Sequence, residues 1–325
     1  MTASQIAVVG AGLMGHGIAQ TLALAGYDVN LTDVKSEALA GALGQVKSNL
    51  ETLVRHKVAT RDQCKQALRR VRLVSDTREA VTDARFIIES ISEDPALKKK
   101  LYVTLERACS KNTIIATNTS TIAISELAGA LDRRGRFIGM HWWNPPYLMP
   151  LIEVVVGEET SEETVDATVA LSKRLGKIPI VCRHGVLGTR LQGALMIEAL
   201  RLVEEGAASA EDIDAVARLT LGLRLPIMGP LQIIDFGGAR TVLQGLEHLP
   251  KVGGDRYAVP EIIRDYVERD WLGVESGHGF YTYTGKQKKK ALKQRDEWLI
   301  SKLKGWAKPT SPLRPPEVGR RKKRP

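Results

Sequence analysis

The sequence predicts an α/β domain, with a mostly parallel sheet and helices on both faces, followed by an all-α domain. Three observations support this. The first half alternates short apolar runs with longer amphipathic stretches, a glycine-rich turn follows the first run, and strand signals cease after Gly185. The runs Ile6–Val9, Val29–Leu31, Phe86–Ile88, Thr113–Ala116, Phe137–Met140 and Ile152–Val156 read as buried strands, with Ile178–Val181 as a further one. Gly15–Ala25, Ser36–His56, Ala96–Ala108 and Ser161–Leu175 read as the helices between them. Strands alternating with helices make a parallel sheet covered on both sides.

Beyond Gly185, Leu191, Leu195, Ala199 and Leu202 recur at helical spacing within Leu187–Glu205. Ser209–Leu219 opens on Ser-Ala-Glu-Asp, a helix-start pattern. Leu231–Asp235 begins another helix after the Gly229-Pro230 turn, and Tyr257–Arg269 and Leu292–Leu303 complete the helical set. The expected division is residues 1–184, residues 185–304, and a basic, Pro-rich tail at 305–325.

Charge is unevenly distributed. Of a net +10, residues 286–325 hold 15 Lys/Arg against 3 Asp/Glu, and the other 285 residues hold 32 against 34. The body is near neutral, so no specific nucleic-acid partner is expected. The tail is expected to stay unpacked and to be dispensable. No apolar run is long enough to span a bilayer, so no membrane role is expected. No signal-peptide pattern opens the chain. Cys64, Cys109 and Cys182 are scattered and odd in number. They suggest neither a disulfide framework nor a metal site, and a reducing cytoplasm is the expected location.

The run Gly10-Ala-Gly12-Leu13-Met14-Gly15 follows the first strand and opens a helix. That context makes it a dinucleotide fingerprint, and the first domain a Rossmann domain. Gly10 permits a tight turn, Gly12 lets a pyrophosphate approach the backbone, and Gly15 allows helix and strand to pack closely. The helix N-terminus offers free N–H groups to phosphate. Asp33 ends the second strand 18 residues later. A carboxylate there accepts from a ribose 2′-hydroxyl and repels a 2′-phosphate, which favours NAD. Lys35 lies close enough to soften that discrimination. His16 reads as a helix-surface residue.

His141 stands at the end of the Phe137–Met140 strand, where open α/β sheets place their active sites. It suits a general base near neutral pH. Twelve residues on, Glu153 interrupts an apolar strand and needs a partner, which His141 would supply. Asn118-Thr-Ser120 reads either as a turn and helix cap or as part of the site.

The segments Gly139-Met-His141-Trp-Trp-Asn144-Pro to Glu153-Val-Val, Thr117-Asn-Thr-Ser120, Glu93-Asp-Pro-Ala-Leu-Lys98, Met228-Gly-Pro230 and Gly277-His-Gly-Phe-Tyr281 together resemble the 3-hydroxyacyl-CoA dehydrogenase family. The resemblance spans roughly residues 4–285 in the family's order. It implies NAD-dependent oxidation of the 3-hydroxyl of a short acyl-CoA. His141 would be the base, Glu153 its partner, and Ser120 a contact to substrate and nicotinamide. Asn144 and Thr189 would line the substrate site, and Glu93, Lys98 and Asn118 would join Gly10, Gly12, Leu13, Met14, Gly15 and Asp33 around the cofactor. It also implies a homodimer built on the helical domain.

There are departures. Thr189 stands where the family has Asn, and Glu275 where a Lys is common. Trp142-Trp-Asn-Pro-Pro-Tyr147 is similar to relatives acting on free polar acids, such as L-gulonate and carnitine dehydrogenases. His56-Lys57 could meet a CoA phosphate by analogy, although a solvated helix end is the commoner role. Two readings from other classes remain open: a Ser120/His141/Glu153 hydrolase, which would lack a nucleophile elbow, and an NAD-binding protein with little catalysis.

Overall fold

A computed structural model describes residues 5–303. The first β-α units run β1 (Gln5–Val9), α1 (Gly15–Leu24), β2 (Asp28–Thr32), α2 (Ser36–Arg55), α3 (Arg61–Arg70), β3 (Val71–Leu73), α4 (Thr77–Val81), β4 (Phe86–Glu89), α5 (Pro95–Ala108), β5 (Ile114–Thr117) and α6 (Ile124–Ala128). There follow β6 (Phe137–Trp142), β7 (Leu151–Val155), α7 (Glu162–Arg174) and β8 (Ile178–Cys182). The eight strands form one sheet in the order β3-β2-β1-β4-β5-β6-β7-β8, parallel except between β6 and β7. The expected strand at Ile178–Val181 is β8.

Successive residues of a strand enter opposite cores. Ile6 and Val8 of β1 pack with the core that includes Ile18, Val46 and Leu171 of α1, α2 and α7. Ala7 and Val9 pack with the core that includes Val81, Leu105 and Leu127 of α4, α5 and α6. A sheet covered on both faces needs this double-sided burial, which is why its strands read as unbroken apolar runs.

The short β3 and the helices α3 and α4 were not expected. β3 is only three residues long. The α3 segment is strongly polar, but Thr60 and Gln63 close its start reciprocally: Thr60 Oγ1 accepts from Gln63 N at 3.2 Å, and Gln63 Oε1 accepts from Thr60 N at 2.8 Å. That pattern was legible.

The chain divides into two compact units, one ending at Ile197 and one beginning at Glu198. α8 (Leu187–Glu204) runs through this point, and the second unit continues with α9 (Ala210–Arg224), α10 (Pro230–Gly237), α11 (Ala239–Gly253), α12 (Glu261–Glu268) and α13 (Lys286–Leu303). Ser209 caps α9 as its sequence indicates, accepting from Asp212 N at 3.1 Å. The expected helix Tyr257–Arg269 is corrected: α12 starts only after Pro260, and Gly254–Tyr257 forms a separate 3₁₀ turn. Proline lacks the N–H that an interior helical position needs. α11 was missed altogether. The Gly277–Tyr281 motif wraps around buried Asp235, which accepts from Phe280 N, Tyr281 N and Tyr283 OH, each at 3.0 Å. The expected tail at 305–325 lies outside the described residues.

Candidate active site

Chain order reverses direction in the sheet between β1 and β4, and ligands of open α/β sheets bind at such points. The Gly10–Gly15 turn lies at this place. Gly10 has φ +103°, which only glycine adopts readily, and a β-carbon there would stand 2.5 Å from Ser90 O. A β-carbon on Gly15 would overlap the Gly10 carbonyl. At Gly12 a β-carbon would meet nothing within 4 Å. Protein packing thus explains two of the glycines, while the third leaves its backbone open to a ligand.

A cavity of about 670 Å³ begins here, lined by Gly10, Gly12, Asp33, Lys35, Thr77 and Ser90 among others. Asp33 is held at its mouth, with Oδ2 accepting from Ala11 N at 2.7 Å and Oδ1 from Lys35 N at 2.8 Å. Each oxygen keeps a lone pair for a further donor. Lys35 is therefore tied to Asp33 through its backbone. Of the other fingerprint residues, Leu13 is 70% exposed and His16 Nδ1 lies 2.7 Å from Gly12 O. Neither they nor Gly15 line the cavity.

A second cavity of about 550 Å³ brings together Met14, Asn118, Ser120, His141, Asn144 and Thr189. His141 and Glu153 face each other directly across the antiparallel β6–β7 pair. Their 12-residue separation is therefore the span of a hairpin that returns one side chain to the other. His141 Nδ1 lies 2.9 Å from Glu153 Oε2, and His141 Nε2 lies 3.1 Å from Ser120 Oγ. If the shared proton sits on Nδ1, Nε2 is left free to accept one.

Glu153 is 2% exposed and collects donors from several elements. Oε1 accepts from Leu187 N at 2.8 Å and Gly188 N at 2.9 Å, at the start of α8, and Cys182 Sγ approaches it at 3.7 Å. Oε2 also accepts from Trp143 Nε1 at 3.2 Å. Burial alone would raise this carboxyl. Hydrogen bonds from Gly188, His141 and Leu187 outweigh it and hold the group below the usual carboxylate range. Burial and the adjacent Glu153 charge push the Cys182 thiol up to about 11, so it stays a neutral donor.

The loop after β5 is held from behind. Asn118 Oδ1 accepts from Trp142 N at 2.8 Å. Glu93 Oε1 accepts from Thr119 Oγ1 at 2.6 Å and from Ser120 N at 2.8 Å. α6 starts only at Ile124, and its N-cap, Ala123, has no side-chain bond, so Asn118 and Ser120 do not serve as its cap.

Lys98 sits beneath the Glu93 loop. It is fully buried, 2.7 Å from Glu89 Oε1 and 3.5 Å from Glu93 Oε2, and lines neither cavity. Glu89 also accepts from Ile91 N, Tyr102 OH and Thr117 Oγ1, and it was missed. Its signal was a carboxylate ending the apolar run Phe86-Ile-Ile, with Lys98 and Tyr102 one helical turn apart.

Of the aromatics that follow the base, Trp142 and Trp143 both line the cavity, and Trp143 lies edge-on beside His141 with ring centroids 5.2 Å apart. The Trp142 ring alternates into the opposite core and Tyr147 packs against that core. Gln192, Gly193 and Met196 of α8 line the cavity and were not foreseen.

Comparison with known proteins gives a consistent picture. Residues 5–185 match the family model "3-hydroxyacyl-CoA dehydrogenase, NAD binding domain", and residues 185–283 match "3-hydroxyacyl-CoA dehydrogenase, C-terminal domain". A probable 3-hydroxybutyryl-CoA dehydrogenase of Bacillus subtilis is 39% identical over 289 residues, covering 88% of this chain and 99% of that one. A 5-formyl-3-hydroxy-2-methylpyridine 4-carboxylate 5-dehydrogenase of Mesorhizobium japonicum is 30% identical over 299 residues, covering 91% and 96%. The crystal structure of a 3-hydroxyacyl-CoA dehydrogenase from Archaeoglobus fulgidus superposes with a TM-score of 0.77 at 32% identity, covering 93% and 99%.

Proposed function

This chain belongs to the 3-hydroxyacyl-CoA dehydrogenase family, and we propose that it oxidises the 3-hydroxyl of a short 3-hydroxyacyl-CoA reversibly, with NAD⁺ as acceptor. The observation that carries this reading is the hydrogen-bonded line Ser120–His141–Glu153 in a cavity next to the glycine turn. His141 Nε2 takes the hydroxyl proton. Ser120 Oγ, 3.1 Å away, holds the substrate oxygen within reach of that nitrogen. Glu153 fixes the proton of neutral His141 on Nδ1 and then faces the imidazolium at close range. Bound NAD⁺ supplies the hydride acceptor. Gly10, Gly12, Met14 and Asp33 would hold it, with Asn118 and Ser120 on the nicotinamide side. Asp33 selects NAD over NADP.

A thioester is favoured over a free hydroxy acid by charge. Among the described residues, the lining of the Ser120–His141 cavity includes Asn144, Thr189 and Gln192 but no Lys or Arg. An acid carboxylate entering it would have no cation to offset its desolvation, whereas a thioester carbonyl needs only a hydrogen-bond donor. The Bacillus subtilis relative supports this reading. The alternative, a free polar acid or alcohol, rests on the Mesorhizobium japonicum relative and on Trp142-Trp-Asn-Pro-Pro. A serine hydrolase would use the same Ser–His–Glu line but leave the Gly10–Asp33 cavity without a task.

The homodimer also belongs to this proposal. Leu191, Leu195, Met196 and Leu200 of α8 are exposed, as are Val216 and Leu219 of α9, and exposed apolar helix faces of this kind mark association surfaces. Among the described residues no helix is long and apolar enough to cross a membrane. The three free cysteines suit a reducing, cytoplasmic setting. An NADH-release screen of short 3-hydroxyacyl-CoA esters against free 3-hydroxy acids tests the function. Turnover of the esters supports it, and turnover of the acids alone transfers the reading to the alternative.

A further inference from the structure

Glu153 Oε2 is shared. It accepts from His141 Nδ1 at 2.9 Å and from Trp143 Nε1 at 3.2 Å. β6 ends at Trp142, whose ring packs in the core with Met140, and Trp143 just beyond the strand sets its ring edge-on to His141. Space permits this. A β-carbon on Gly188 would overlap Trp143 Cζ2 and stand 3.2 Å from Glu153 Oε2, so the glycine in the first turn of α8 leaves room for the indole edge.

We propose that Trp143 is a positioning residue that shares the Glu153 carboxylate with His141 through its indole N–H and so weakens the hold of Glu153 on the imidazolium, and that Gly188 admits the ring that does so. This rests on the reading of His141 as the base. When His141 takes its second proton, the gain depends on the negative charge that Glu153 presents. The indole N–H draws on the same oxygen and turns its positive end toward the same region, so imidazolium is stabilised less than by an unshared carboxylate. The other groups facing the pair do not substitute for it. On β8 there is Cys182, a neutral thiol on the other oxygen. From α8 there are only the backbone N–H groups of Leu187 and Gly188. From the β5 loop there is the Ser120 hydroxyl, with Glu93 behind it.

Trp143→Phe keeps a ring and removes the donor. The acid limb of kcat/KM for alcohol oxidation should move to higher pH by about half a unit to one unit, with the alkaline plateau retained. The alkaline limb of the reverse reduction should move the same way. Gly188→Ala, which displaces the ring and keeps both backbone donors, should give the same shift, and the double variant should add nothing to it. A profile that stays in place or moves to lower pH in both variants, or a rate that falls equally at every pH, overturns the proposal. His141→Ala run beside them keeps the two ideas apart: full turnover there would remove the base assignment itself, whereas lost turnover with unmoved Trp143 and Gly188 profiles removes only this inference.

Discussion

His141 is buried, yet its Nε2 reaches the cavity and its Nδ1 is tied to Glu153. His141→Ala should lower turnover about 10²–10⁴-fold while leaving NADH binding unchanged, because Asp33 and the glycine turn are on other loops. Fluorescence titration beside steady-state kinetics checks both halves. Asp33→Ala should narrow the gap between NAD(H) and NADP(H) affinities, and equal affinities in the wild type would show that Asp33 does not face the ribose. Glu153 also links the site to stability. Its pKa is held below the unfolded value of about 4.3, so its contribution is present above that pH and lost as pH falls through the folded value. Glu153→Gln should therefore be less stable than wild type at pH 7, and the difference should shrink in urea melts as the pH falls below about 4.

Helices α5 and α8 each position a part of the site. α5 buries Lys98 and Tyr102 against Glu89, while Glu93, just before its Asp94 N-cap, ties down the Ser120 loop. Lys98→Met strands the Glu89 carboxylate and should cost about 3–5 kcal/mol of stability. Replacing Glu89 by Gln in the same protein should recover part of that loss, and denaturant unfolding of the two variants decides it. α8 begins on Glu153 and carries Thr189, Gln192 and Met196 along the cavity wall. Thr189 is shorter than Asn and lacks an amide's paired donor and acceptor. Thr189→Asn should raise activity toward a short 3-hydroxyacyl-CoA. Unchanged kinetics would show that this position does not align the substrate.

The whole molecule reveals how little of its charge concerns the site. Basicity is concentrated from residue 286 onward, while both cavities lie among residues 9–196. A second copy is expected to cover the exposed leucines of α8 and the exposed apolar residues of α9. Sedimentation at micromolar concentration should show a dimer, and a monomer would remove that assignment.

The linear order of residues was sufficient for what depends on local geometry. The glycine turn, the strand–helix alternation, the Ser209 cap and the cross-strand meeting of His141 and Glu153 all follow from spacing, because turns, helical periods and hairpins act over short stretches of chain. Wherever two distant segments had to meet, only the tertiary structure decided. It brought Ser120 to His141 from the loop after β5, and it gave Glu153 the N–H groups of α8, 34 and 35 residues further on. It drew Lys98 inward to Glu89, and turned Trp143 toward the base and the Trp142 ring away. A buried charge takes whichever partner the packed fold brings within reach. That choice depends on distances in space, which residue types and spacing along the chain do not encode.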